Sequence, residues 1–177
     1  MSPASPGIPT ALTRGPGADF RELSARYLEE YLAKIDACLE QLGKEQLWWR
    51  PNEASNSVGN LVLHLVGNLS MWILVSLGDS DYQRRRSEEF QARETHDVDQ
   101  LRAALAEVVA QCRRVLERLP ESELARPRQV QGYDIDGLGI VYHAVEHMSY
   151  HTGQIVWVTK TLAAPSAVDF YPQHAGE

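Results

Sequence analysis

His143, His147 and His151 stand four residues apart near the end of the chain, and His64 stands alone in an apolar run, Leu61-Val-Leu-His-Leu-Val66. Residues four apart lie on the same side of an α-helix, one turn above the other. Two neutral imidazoles at that spacing can share one metal ion. A third imidazole from a second helix, that of His64, completes the half-open site that catalytic zinc prefers. The chemistry of such a site is Lewis-acid chemistry: the ion lowers the pKa of a bound thiol or water, or polarises a carbonyl. Three neutral ligands leave a 2+ centre, which favours an anionic fourth ligand.

The stripe Ile140, His143, His147, His151, Gln154 and Val158 adjoins an apolar stripe of Leu138, Val141, Val145, Thr152 and Val156. The apolar stripe must face a core, so the histidines sit at or near the interior. Unpaired imidazoles there are costly. A metal satisfies them, each ring giving one nitrogen to the ion and the other to an acceptor. A lone buried histidine is more often simply hydrogen-bonded; the conjunction of two runs carries the metal reading. A rival pattern exists, since His143-Ala-Val-Glu146-His147 matches HxxEH, with Glu146 as general base. That class needs a carboxylate ligand well downstream on another helix. Only Asp169 and Glu177 follow, in a tail, so this reading is set aside. Asn60 and Asn68 flank His64 by a turn each way, and Tyr150 and Gln154 flank the pair on the last helix. They can orient substrate or simply bond to backbone. No Ser/His/Asp arrangement and no phosphate-binding glycine loop is present.

Four helices must position these groups. Residues 1–17, with Pro3, Pro6, Pro9 and Pro16, form an arm. Asp19 can cap a first helix whose apolar positions run from Phe20 to Leu42. Residues 44–55 connect, with Trp48 and Trp49 pointing in different directions so that one is fully buried. Asn56 or Ser57 caps a second helix ending near Gly78. Residues 79–96 are long, polar and without periodicity, and the Arg84-Arg85-Arg86 cluster beside Glu88 and Glu89 reads as solvated charge. Asp97 caps a third helix from Leu101 to Leu119. Residues 126–136 read as loop. The fourth helix runs from about Gly137 to Leu162. The expectation is an all-α, four-helix bundle over residues 18–165, with a tail at 166–177.

Composition sets the remaining bounds. A length of 177 residues, 44% hydrophobic and 23% charged, suits one ordinary globular domain. The net charge of −7 repels phosphate backbones and anionic lipid, so neither nucleic acid nor a membrane is an expected partner. No run of about 18 apolar residues stands out, and no secretory signal is visible. Cys38 and Cys112 lie in helical patterns without CxxC partners and read as buried, reduced thiols. A cytoplasmic location fits.

The run from Leu61 through His64 to Leu69 and, about eighty residues on, Glu146-His147-Met-Ser-Tyr150-His151-Thr-Gly153-Gln154-Ile155 resemble the DinB-like superfamily, in its branch with HLxGNL and EHxxYHxGQI motifs. Trp48-Trp49-Arg50-Pro51 fits the lead-in, and the resemblance covers roughly residues 20–163. It implies up-down-down-up topology, with helices two and three parallel and the long 79–96 connection between them. It implies a divalent metal, zinc or nickel, on His64, His147 and His151, with His143 and Glu146 lining the pocket rather than ligating. Characterised relatives include thiol-S-transferases using bacillithiol or mycothiol, a maleylpyruvate isomerase and proposed hydrolases. A small-molecule substrate, a low-molecular-weight thiol cosubstrate and a homodimer are therefore expected. Trp49, Trp72, Trp157, Tyr27 and Tyr31 add support for pairing, as more aromatics than one thin bundle need bury. The alternative is a non-enzymatic metal- or small-molecule-binding module with a sensory or vestigial site.

Overall fold

The computed structural model describes residues 15–163 and 168–170. The arm up to residue 14 and most of the tail, Glu177 included, lie outside the described residues. Helix α1 spans Pro16–Leu39, a single turn α2 spans Lys44–Leu47, and α3 spans Val58–Leu69. A π-helical segment, Ser70–Val75, prolongs α3. Then come α4 (Arg86–Gln91), α5 (Val98–Arg118), a two-stranded hairpin of β1 (Pro127–Val130) and β2 (Tyr133–Asp136), and α6 (Gly137–Leu162). The fold is all-α in its framework, as expected.

Local chemistry sets most of these boundaries. Ser57 accepts from the Asn60 backbone N–H at the start of α3, and Asn60 answers the Ser57 N–H. Asp97 and Gln100 make the same reciprocal pair on α5. Asp136 caps α6 through the Gly139 N–H at 2.8 Å. Each such cap satisfies helix donors that would otherwise lack partners, typically worth about 1 kcal/mol. Three expectations at element ends need correcting. Asp19 is not the first cap: Pro16 and Gly17 already lie in the first turn of α1, where a proline's missing N–H costs nothing. The stretch 79–96 is not bare loop but holds α4. Residues 126–136 fold as the hairpin, with Val130 opposite Tyr133 and Gln131 and Gly132 both at positive φ, the geometry of a tight two-residue turn.

α1 packs against α5 and α6, and α3 against α4, α5 and α6, so α1 and α3 occupy opposite corners of the bundle. Leu28, Ile35, Leu39, Leu65, Leu69, Leu101, Leu105, Leu116, Ile140 and Met148 are among the fully buried side chains of its single core. Burying each contributes about 1.5–3 kcal/mol. Trp48 is buried and Trp49 half-buried, as expected from their adjacency. Cys38 and Cys112 are buried free thiols, and burial pushes the Cys112 thiol up to about 12. Contrary to expectation, the sequence does contain an apolar run of 18 residues. Val58–Val75 is long and apolar enough to cross a membrane, yet 78% of it is buried inside the bundle. It is the core helix that carries His64.

Candidate metal centre

The bundle brings His64 of α3 to His147 and His151 of α6, with one ring nitrogen of each within 4.8 Å of the others. His64 Nε2 lies 2.8 Å from His147 Nε2, and the His147 and His151 ring centroids are 4.5 Å apart, nearly perpendicular. What surrounds the rings decides where their lone pairs point. His151 Nδ1 is 2.7 Å from Gln154 Oε1, an acceptor, so that nitrogen carries the proton and Nε2 is left bare. His64 Nδ1 is 2.9 Å from Glu89 Oε2 and 3.0 Å from Arg84 Nη2. A bare Nδ1 would set a lone pair against a carboxylate; a protonated one donates to it. The second arrangement is the stable one, and it bares Nε2 of His64 as well. The bare nitrogen of His64 faces His147 Nε2, and His151 brings one ring nitrogen within 4.8 Å of both. Burial, then the neighbouring His151, His64 and His143 rings, hold the His147 pKa down at about 3. Burial also lowers His151 and His143. Neutral, mutually facing imidazole lone pairs repel unless a cation or a shared proton lies between them. A divalent ion bound at about 2.0–2.1 Å to nitrogen fits this donor set.

The carboxylate behind His64 comes from a place where sequence reasoning put solvated charge. Glu89 is 7% exposed, and the Arg84 side chain 8%. Arg84 Nε donates to Glu89 Oε1 at 2.8 Å and Arg84 Nη2 to Oε2 at 2.9 Å, a two-pronged pair. Burial raises the Glu89 pKa, but hydrogen bonds from His64 and Arg84 outweigh it and leave the carboxyl below its usual range. Ionised, it orients the His64 ring and strengthens it as a ligand. Arg85 and Arg86 are exposed, as expected of the cluster. Phe90 of the same short helix lies on His64, ring centroids 4.8 Å apart. One signal could have pointed here: a buried ligand histidine needs an acceptor for its other nitrogen, and α3 carries no carboxylate to serve as one.

The remaining candidates separate. His143 meets Trp72 of the π-helical segment at a tilt, 4.0 Å between centroids, and stacks on His147 at 5.2 Å, so it lines the site's edge. Glu146 is exposed, and its charge acts on His143 and His151 against the lowering by burial. Asn60 does not face substrate: its amide donates to the Glu89 and Ala92 carbonyls at 2.9 and 3.0 Å and so ties α4 to α3. Asn68 is buried with its Oδ1 unpartnered. Tyr150 is exposed, its ring 5.1 Å from that of His151. His151, Tyr150 and Gln154 line a groove of about 660 Å³ between α6 and the turn at residues 51–56. A second groove, holding Arg114, Arg118, Arg126 and Arg128, touches none of the histidines.

A helical bundle with three inward histidines from two helices defines a candidate metalloprotein of the DinB type. The sequence matches the DinB superfamily over residues 27–155, and the chain belongs to it. Solved structures share the fold. A DinB-like protein from Bacillus cereus ATCC 10987 has a TM-score of 0.64 at 13% identity, covering 80% of this chain and 91% of that one. A conserved protein from Enterococcus faecalis gives 0.66 at 18%, covering 78% and 94%. The DinB-like protein YjoA from Bacillus subtilis gives 0.61 at 20%, covering 78% and 90%. No curated protein matches the chain.

Proposed function

We propose that this protein is a metal-dependent enzyme of the thiol-S-transferase-like or hydrolase-like kind, using zinc or nickel held by His64, His147 and His151. One observation carries the reading: rings from two helices bring one nitrogen each within 4.8 Å of the others, and one of them, His151, borders a groove open to solvent. When bound, a divalent ion there supplies Lewis acidity to a thiol or water. The chain's own residues do the rest. Glu89 and Gln154 fix the ring tautomers of His64 and His151, Arg84 holds Glu89 ionised, and Phe90 covers His64. Glu89 touches a ligand ring rather than the groove, so no carboxylate is placed as general base.

The substrate is a small molecule, with a low-molecular-weight thiol as cosubstrate in the transferase form, and the site of action is the cytoplasm. The helix order is up-down-down-up, which the long crossing between α3 and α5 supports. Nucleic acid and membrane are not partners, in keeping with the net charge of −7. A homodimer is proposed, on altered grounds. Trp72 is buried, Trp49, Tyr27 and Tyr31 are half-buried, and of the five aromatics Trp157 alone is exposed. Further support comes from Leu138 and Tyr142, exposed one turn apart on α6, and from exposed Tyr133. Light scattering at micromolar concentration tests it, a monomer mass counting against.

Elemental analysis of untagged protein purified without added metal, followed by a thiol-plus-electrophile assay, tests the function. Stoichiometric zinc or nickel with turnover that is lost on chelation supports the enzyme. Bound metal without turnover on thiol or ester substrates favours the alternative, a non-enzymatic binding module. A protein that takes up no divalent ion refutes both metal readings.

A further inference from the structure

The groove beside His151 has a chemical character of its own. Its walls are Pro51 and Asn56 on one side and Tyr150, Gln154 and Trp157 on the other. Among the described residues that line it there is no Lys, Arg, Asp or Glu. The nearest charges on the 51–56 side cancel, since Arg50 pairs with Glu53 at 2.9 Å. Tyr150 is 59% and Trp157 64% exposed, a second pair of bare apolar side chains on α6 besides Leu138 and Tyr142 near its start. They stand seven residues apart, two helical turns, and so share a face. Between them lies Gly153, where an added Cβ would meet nothing within 4 Å. The result is a bare strip of backbone between two aromatic rings, ending at a histidine of the metal cluster.

We propose that this groove is the substrate-binding site and that it selects a neutral molecule with a flat aromatic or apolar body, its reactive polar end placed beside His151. The inference rests on the metal reading for that reactive end, but the groove's selectivity does not. Rings of Tyr150 and Trp157 offer faces for stacking, and Asn56 and Gln154 offer neutral polar groups. A multiply charged carboxylate thiol finds no cation here to compensate its desolvation. The four arginines of the second groove lie away from the histidines and cannot supply one.

The test uses cobalt-loaded protein and two thiols, benzyl mercaptan and mercaptosuccinate, followed by the sulfur-to-cobalt absorption band. Salt at about 0.5 M shortens the screening length to roughly 4 Å, which removes long-range repulsion of the dianion by the acidic protein. Benzyl mercaptan is expected to bind at least about 10-fold more tightly than mercaptosuccinate. Loss of one stacking face in Trp157→Ala or Tyr150→Ala is expected to weaken it by about 3–10-fold, while cobalt affinity stays the same. Ala54→Lys, placing a cation at the rim, is expected to narrow the gap between the thiols. Equal or tighter binding of mercaptosuccinate overturns the proposal. So does unchanged benzyl mercaptan affinity in Trp157→Ala, and if that variant also loses a dimer, the face belongs to a second copy of the chain. Failure of the metal reading shows differently, as no cobalt uptake or no absorption band with either thiol. In that event tryptophan fluorescence with benzyl alcohol decides on metal-free protein: saturable quenching that is lost in Trp157→Ala upholds the groove, and its absence overturns it.

Discussion

At the scale of single residues, the site divides into atoms that would touch the ion and atoms that hold those atoms still. His147 offers a ring nitrogen 2.8 Å from that of His64, whereas His143 meets Trp72 at a tilt at the edge. Losing a ligand removes a coordinate bond, while losing a group behind the ligands typically costs about 10–100-fold in affinity. His147→Ala should therefore weaken metal binding by more than about 100-fold and His143→Ala by about 10-fold or less. Equal losses in a chelator-competition titration would restore the HxxEH assignment. Glu89 belongs to the second kind. Glu89→Gln keeps an acceptor for His64 but gives up the charge, so a loss toward about 10-fold is expected, and nearer 100-fold for Glu89→Ala. Glu89→Ala should also destabilise the fold by about 3–5 kcal/mol, since it strands the buried Arg84 guanidinium. Urea unfolding reads the second effect separately; wild-type metal affinity in both variants would remove Glu89 from the site. The histidine stripe was legible because helical spacing is written into sequence, while the choice of His147 and His151 within it came from the family resemblance. Glu89 was not, because a carboxylate in a charge run looks solvated until the helix it meets is known.

At the scale of elements, the same contrast recurs. Long helices starting at Ser57 and Asp97 were readable, since capping and apolar periodicity are local, and periodicity alone placed the fourth helix that Asp136 caps. The two short elements were not. α4 has six residues, too few for a periodic stripe, and is held by Asn60 of α3 rather than by its own propensity. The hairpin has four-residue strands and turns at Gln131-Gly132, which lacks the Asn-Gly or Asp-Gly signature. α4 matters most for the site, because it delivers Glu89 against α3 at a point where α3 has no side chain. A Cβ added at Gly67 would sit 2.1 Å from Glu89 Oε1. That oxygen cannot swing aside freely, being held by Arg84. Gly67→Ala removes a helix-destabilising glycine, so on propensity alone it should add about 1 kcal/mol. The clash predicts the reverse: lower stability and metal affinity reduced toward the Glu89→Ala value. Unfolding and metal titration of the variant check it, and a stabilised protein with unchanged affinity would mean α4 packs more loosely than described.

At the scale of the whole molecule, three buried or half-buried rings in one bundle tie folding to pH. In the metal-free protein, burial and the neighbouring rings keep His147 neutral down to about 3, and His143 and His151 are lowered in the same direction. The unfolded chain protonates its histidines near 6.5. Between those values the unfolded state binds more protons than the folded one, so stability rises with pH across that window. The histidine contribution is complete above about 6.5 and drains away as pH falls toward about 3. Glu89 adds a loss of its own further into acid, as pH drops through its lowered pKa. Opposing both, acid neutralises the net charge of −7 and relieves general repulsion, so the raw curve mixes effects. Comparing wild type with His147→Gln isolates one of them, because that variant has nothing at 147 to protonate. Chelator-stripped wild type should lose more of its urea midpoint between pH 7 and pH 4 than His147→Gln does. Saturating metal should raise the wild-type midpoint most at neutral pH, since protons and the ion compete for the same nitrogens. Parallel pH profiles for the two proteins would show that His147 is not held neutral by the fold, and the argument for three lone pairs turned toward one centre would go with it.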